Sequence, residues 1–83
     1  MENKELVRRT IEKTIACGTK TPGIFQIPKA LQLKAELESC NSIPEVCLKL
    51  MRNKEDICSI FGLRDIQVIS CVRELTELIA KSN

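Results

Sequence analysis

Residues 54–73 read Lys54-Glu-Asp-Ile-Cys-Ser-Ile-Phe61-Gly62-Leu-Arg-Asp65-Ile-Gln-Val68-Ile-Ser-Cys71-Val-Arg73. The stretch divides at Gly62. Before it, Ile57, Cys58, Ile60 and Phe61 supply apolar positions at helical spacing. Glu55 and Asp56 stand in the first turn, where carboxylates complement the positive end of a helix, and Asn53 can cap it. After the glycine, Val68, Val72, Leu75 and Ile79 make a stripe flanked by Cys71 and Leu78. Gly62 supplies a turn conformation that disfavours a Cβ, and Leu63 can plug the corner. The reading is a short helix over 54–61, a tight turn, and a long helix from Arg64 or Asp65 to Ala80.

The chain upstream follows the same helical pattern. Asn41-Ser42 breaks the chain, and Ser42 with Glu45 has the spacing of a capping box. The third helix then runs past Pro44 to Arg52, with Val46, Leu50, Met51, Cys47 and Leu48 as its apolar residues. Pro28 suits the first turn of a second helix ending near Ser39 or Cys40. Its inner side carries Leu33 and Leu37 with Ala30 and Cys40, while Leu31 and Ala35 lie off that side. A first helix fits Glu2–Ala16, with Leu6, Val7, Ile11 and Ile15 on one broad face and Gly18 ending it. Between them, Ile24, Phe25 and Ile27 are expected to tuck under the helices. No alternating β-branched run, repeat or linker is present, so the expectation is one all-α domain over 1–83, a compact bundle of about five short helices.

A chain of 83 residues is near the limit for a self-sufficient core. A domain of this size buries only roughly 60% of the surface its unfolded chain exposes, so a stabilising partner or a second copy is a reasonable expectation. Apolar residues are 43% and charged residues 29%, ordinary for a globular protein. The formal charge is +2, and it lies wholly in residues 1–41, with seven Lys/Arg against five Asp/Glu; residues 42–83 balance at six and six. A binder dominated by phosphate contacts is usually more basic. No apolar run approaches the length of a membrane span. The start Met-Glu-Asn-Lys-Glu is unlike a signal peptide, so the expected location is cytoplasmic.

Little in the residue inventory suggests catalysis. The chain has no His, the commonest general base and metal ligand. Its five cysteines, Cys17, Cys40, Cys47, Cys58 and Cys71, include no C-x-x-C pair, so a zinc site is not indicated. They read chiefly as small buried hydrophobes in helices, with a reactive or intermolecular thiol as the other possibility. Gly18-Thr-Lys-Thr-Pro-Gly23 copies a phosphate-loop spacing, but Ile24 and Phe25 follow where Lys and Ser/Thr belong. The expectation is a non-enzyme without cofactor, metal or small-molecule substrate.

The segment 46–75 resembles the helix-turn-helix superfamily, on the pattern of Ile57, Cys58, Phe61, Gly62, Leu63, Val68 and Cys71. The preceding helix and the Asn53-to-Ile57 step also look like response-regulator DNA-binding domains and the last region of sigma factors. The resemblance implies a second helix set across the first, whose outer face in a DNA reader is polar and often basic. Here that face is Arg64, Asp65, Ile66, Ile69, Ser70 and Arg73. Two isoleucines stand where polar readers belong, and Asp65 would oppose phosphate. Ile66 and Ile69 either pack against the N-terminal helix or residues 24–27, which is the first expectation, or form an exposed patch for a protein partner.

Two functions are carried forward. The leading one is a small regulatory or adaptor protein working through contact with another protein or a second copy of itself, with Ile66, Ile69 and Arg73 as candidate contacts. The alternative is a sequence-specific DNA-binding regulator, dimeric, with Arg64, Ser70 and Arg73 facing DNA and Arg8, Arg9 and Lys13 assisting. On an ordinary reading the last three belong to a solvated face interleaved with Glu5 and Glu12.

Overall fold

A computed structural model describes residues 3–82. Five helices follow one another: α1 (Lys4–Ala16), α2 (Ile27–Glu38), α3 (Ile43–Arg52), α4 (Lys54–Phe61) and α5 (Asp65–Ser82). No strand occurs among the described residues. The all-α bundle expected from the sequence is therefore the architecture, with boundaries close to those read from the pattern; Glu2 lies outside the described residues.

The ends of the helices have identifiable chemical causes. Ser42 is extended and its Oγ accepts the Glu45 N–H at 3.3 Å. The Glu45 carboxylate reaches back one residue beyond the cap, accepting the Asn41 N–H at 2.9 Å. Two otherwise orphaned donors are thus satisfied at the start of α3. Asn53 differs from its expected role. It precedes α4, but its side chain donates backwards to the Lys49 carbonyl at 3.0 Å and towards Glu36 at 3.5 Å. Its amide therefore closes α3 and reaches α2, and no side-chain cap bond serves α4.

Gly62 holds the left-handed conformation, φ 66° and ψ 42°, after α4. Its neighbour is a backbone strap from the α1–α2 connection. Thr19 N–H donates to the Gly62 carbonyl at 3.1 Å and Lys20 N–H to the Phe61 carbonyl at 3.2 Å. The strap satisfies carbonyls that the end of α4 leaves unpaired. The approach is close on both sides: a Cβ on Gly62 would meet Thr19 and Lys20, and one on Gly18 would overlap the Phe61 carbonyl.

Helix α5 is the centre of the bundle, with α3, α1 and α4 packed on it and α2 packed on α3. Val68, Cys71 and Leu75 of α5 are buried against Val46 and Leu50 of α3, Ile57, Ile60 and Phe61 of α4, and Leu63 of the turn. Val7 comes in from α1, and Ala30 and Leu33 from α2. No charged or polar residue is buried among the described residues, so the core is held by apolar burial and dispersion. A small, largely apolar space of about 20 Å³ remains between Ile11, Leu33, Leu50, Phe61 and Val68.

Several apolar residues expected inside lie outside. Ile24, Phe25 and Ile27 are exposed rather than tucked under. The backbone turns helical before α2 begins, because the Gly23 carbonyl accepts both the Gln26 and Ile27 N–H groups. That early turn sends Ile24 and Phe25 outward. Leu6, Leu48 and Met51 are likewise exposed. On α3, burial follows Ile43, Val46 and Leu50, which share one face, and Leu48 and Met51 fall on the other. The first expectation for Ile66 and Ile69, packing against α1 or residues 24–27, is also corrected: both are exposed.

Candidate functional site

The outer face of α5 is set by its inner one. With Val68, Cys71 and Leu75 buried, positions 66, 69, 70 and 73 turn away from the bundle at about 100° per residue. Ile66 is 66% exposed and Ile69 39%. Ser70 and Arg73 are exposed beside them, and Arg64 is exposed just ahead of the helix. The structure thus brings Arg64, Ile66, Ile69, Ser70 and Arg73 to the first half of one helix.

The helix start is pinned from two directions. The Gln67 side chain accepts the Arg64 N–H at 2.8 Å, satisfying a donor at the N-terminus. Asp65 turns back to α4, where Lys54 Nζ lies 3.6 Å from one carboxylate oxygen and Cys58 Sγ 3.6 Å from the other. Asp65 is therefore engaged with the preceding helix, and its carboxylate suits the positive end of α5. Among the described residues no ion pair engages Arg64 or Arg73, which leaves two cations flanking the two isoleucines.

The basic cluster of α1 is placed differently. Arg8 lies 3.9 Å from Glu5 and 3.5 Å from Glu12, and Arg9 lies 3.5 Å from Glu5. These are exposed pairs along one helix, and each adds little stability. Lys13 reaches Glu74 of α5 at 3.1 Å and so ties α1 to the central helix. Arg8 borders the space between α1 and α2, whereas Lys13 sits at the α1–α5 seam. Arg8, Arg9 and Lys13 are all paired with carboxylates, and they do not form one field with Arg64 and Arg73.

Four of the five cysteines are held in environments that disfavour the thiolate. Burial pushes the thiols of Cys40, Cys47, Cys58 and Cys71 above the ordinary value, with Glu45 adding to the effect at Cys40 and Asp65 at Cys58. Their protonated forms dominate at neutral pH, which is unfavourable for attack or metal ligation. Cys17 is exposed at the end of α1. Among the described residues no group of three or more Cys, Asp or Glu is arranged to hold a metal ion. No described helix is long and apolar enough to cross a membrane.

Two surface features were not foreseen. Ile24, Phe25, Ile27 and Leu31 are exposed apolar residues at the entry and along one flank of α2. Beside them, α1 and α2 stand apart and leave an open groove of about 540 Å³ over Val7, Ile11, Ile15 and Leu37. The one sequence signal for these residues was the pair Leu31 and Ala35 falling off the inner side of α2. Comparison of the chain with protein-family models, with curated proteins and with solved structures returns no match.

Proposed function

We propose that this is a small non-catalytic regulatory or adaptor protein that acts by protein–protein contact, using a helix-turn-helix-like scaffold to present the outer face of α5. The observation that carries the reading is the exposure of Ile66 and Ile69 on a helix face flanked by the unpaired cations Arg64 and Arg73. Large exposed apolar side chains rimmed by charge suit a protein partner better than a nucleic-acid groove. The absence of His and the protonated, buried thiols of Cys40 and Cys71 support a role without chemistry of its own.

The test uses the full chain as bait in an extract of its native cells, with Ile66→Asp and Ile69→Asp beside it. The expected result is a defined partner whose binding depends weakly on salt and is lost in both variants, while their melting temperatures stay close to the parent's. Unfolding of the variants, or a partner retained by both, overturns the reading.

One observation favours the DNA-binding alternative: Arg64, Ser70 and Arg73 share the exposed start of α5 without carboxylate partners. A polarisation titration on random duplex at roughly 50 and 200 mM salt separates the two, because phosphate binding weakens steeply over that range. Binding that is absent, or flat with salt, removes it.

A further inference from the structure

The exposed apolar face of α5 continues onto α3. Cys47 Sγ of α3 points at the Val72 carbonyl of α5, 4.0 Å away, and Lys54, at the turn out of α3, lies 3.6 Å from Asp65 at the start of α5. Leu50, between Cys47 and Lys54 in the chain, borders the same apolar space as Val68 and Cys71. Advance along α3 thus matches retreat along α5, so the two helices run antiparallel, and Met51 comes level with Val68 and Ile69. Met51 follows Cys47 by one turn, on the flank of α3 that meets α5, and Ile69 precedes Val72 by about one turn on the matching flank of α5. Cys47 and Val72 are half-buried and floor the seam. Met51, 44% exposed, and Ile69 stand above it, while Leu48, 71% exposed, extends the apolar surface outward on α3 and Ile66 does so on α5.

We propose that this two-helix seam is the docking site for an amphipathic helix of a partner protein, one whose apolar ridge is flanked by carboxylates. The proposal rests on the reading of the α5 face as a protein contact and extends that contact to α3. Shape argues for a helix. A floor of half-buried side chains between two more exposed rows is a trough, and a helix lays one ridge of side chains into such a trough. Helix α3 has 10 residues, so a guest of about three turns matches the length of the seam.

Charge specifies the flanks of the guest. Among the described residues no ion pair engages Arg52, Arg64 or Arg73. Arg52 stands one turn beyond Leu48, Arg64 just ahead of Ile66, and Arg73 one turn beyond Ile69. Because the helices are antiparallel, Arg52 and Arg64 lie towards one end of the seam and Arg73 towards the other. Asp65 is already engaged by Lys54. Glu77 lies a further turn past Arg73, outside the apolar rows, and Glu55 falls on the side of α4 opposite its buried Ile57, Ile60 and Phe61. Unpaired cations around an apolar centre complement carboxylates around an apolar ridge. A second copy of the same face would instead bring its own arginines against these.

The probe is a fluorescent synthetic helix of about five turns with leucine at i, i+3, i+4 and i+7 and glutamate on both flanks, beside a twin with lysine flanks. Polarisation titrations with the full chain at roughly 50 mM salt read the binding. The glutamate peptide is expected to bind about tenfold or more tighter than its twin, with the gap closing as salt rises, and Arg64→Glu combined with Arg73→Glu reverses the preference. Leu48→Asp and Met51→Asp, both at exposed positions, each weaken binding by about tenfold or more, with unchanged helical signal and melting temperature. In the parent labelled at its methionine methyls, the Met51 resonance moves when the peptide is added, which reads the contact without a substitution. No binding, equal binding of the two peptides, or an unmoved Met51 resonance overturns the proposal. Binding lost in Ile69→Asp but kept in Leu48→Asp and Met51→Asp overturns it and leaves the α5 contact standing, whereas binding kept in all three removes both. A chain that sediments with phosphatidylserine vesicles, and releases the peptide to them, overturns it and assigns the seam to a membrane surface.

Discussion

Gly62→Ala tests whether the strap at residues 18–20 and the α4–α5 turn are one structural device. The substitution acts in two ways. Gly62 has φ +66°, and placing an Ala in that conformation costs about 1 kcal/mol. The new Cβ also meets Thr19 Oγ at 2.5 Å and the Lys20 backbone nitrogen at 2.8 Å. Relief requires the strap to withdraw, which breaks its backbone bonds to the Gly62 and Phe61 carbonyls. At about 1 kcal/mol for each bond, the total loss is about 3 kcal/mol, a large part of the roughly 4–12 kcal/mol that holds a chain of this length. Gly62→Asn isolates the steric part, since Asn tolerates the left-handed conformation but still carries the Cβ; it should lose about 2 kcal/mol. Gly18→Ala disrupts the same contact from the other side, by overlap with the Phe61 carbonyl. Because either substitution displaces the strap, the double variant should lose clearly less than the sum of the two. Urea titrations followed by far-ultraviolet circular dichroism measure the parent and all four variants. A Gly62→Ala loss within about 0.5 kcal/mol of zero, or strict additivity with Gly18→Ala, refutes the reasoning.

Asn53→Asp discriminates the two roles that Asn53 could have. An Asp caps a helix as well as an Asn does, so the change would be neutral if the side chain served α4; in the structure the amide donates to Lys49 and towards Glu36, and Asp loses both bonds and faces a like charge, so a destabilisation of about 1 kcal/mol is expected in the same titration. Alkali should weaken the fold through its buried thiols. Burial holds the Cys71 thiol above its ordinary value of 9.0, with the Glu74 charge adding to the rise, so above about pH 9 the unfolded chain releases a proton that the folded chain keeps. The stabilising effect is complete below pH 9 and is lost as pH rises through the folded value; melting temperatures from pH 8 to 10.5 should fall more steeply for the parent than for Cys71→Ala, and equal slopes would refute the assignment.

The helices were legible in the sequence because their punctuation is chemical. Ser42 with Glu45, Pro28 and Gly62 each mark a backbone requirement that tertiary packing does not change. The inward positions around Gly62 were legible for a related reason: Ile57, Phe61, Leu63, Val68 and Cys71 follow one helical face through a turn of fixed shape, and all five are buried. What periodicity could not supply was the number of faces a helix has to cover. α2 and α5 carry apolar residues on both sides, and only the packing of neighbours shows which side is the core. Ile66, Ile69 and Phe25 were therefore misplaced towards the interior by the ordinary assumption that large apolar residues find cover. Gly18 was legible only as a helix stop, because its close approach to Phe61 joins residues far apart in the chain. The same distance hid the pairing of Lys13 with Glu74 across the α1–α5 seam.

A chain this short has more apolar side chains than its interior can take. Nine large ones remain exposed among the described residues, and four of these fall within positions 24–31. Such a distribution is not the scatter of single apolar residues that ordinary surfaces tolerate. It also separates by electrostatic setting. The exposed residues of α2 run past a single cation, Lys29, which is paired with Asp56, and border a groove whose charges balance. On α5, Arg64 and Arg73 bracket Ile66 and Ile69, and pairing this face with its own copy would bring cations together. A partner with carboxylates around an apolar centre complements it instead.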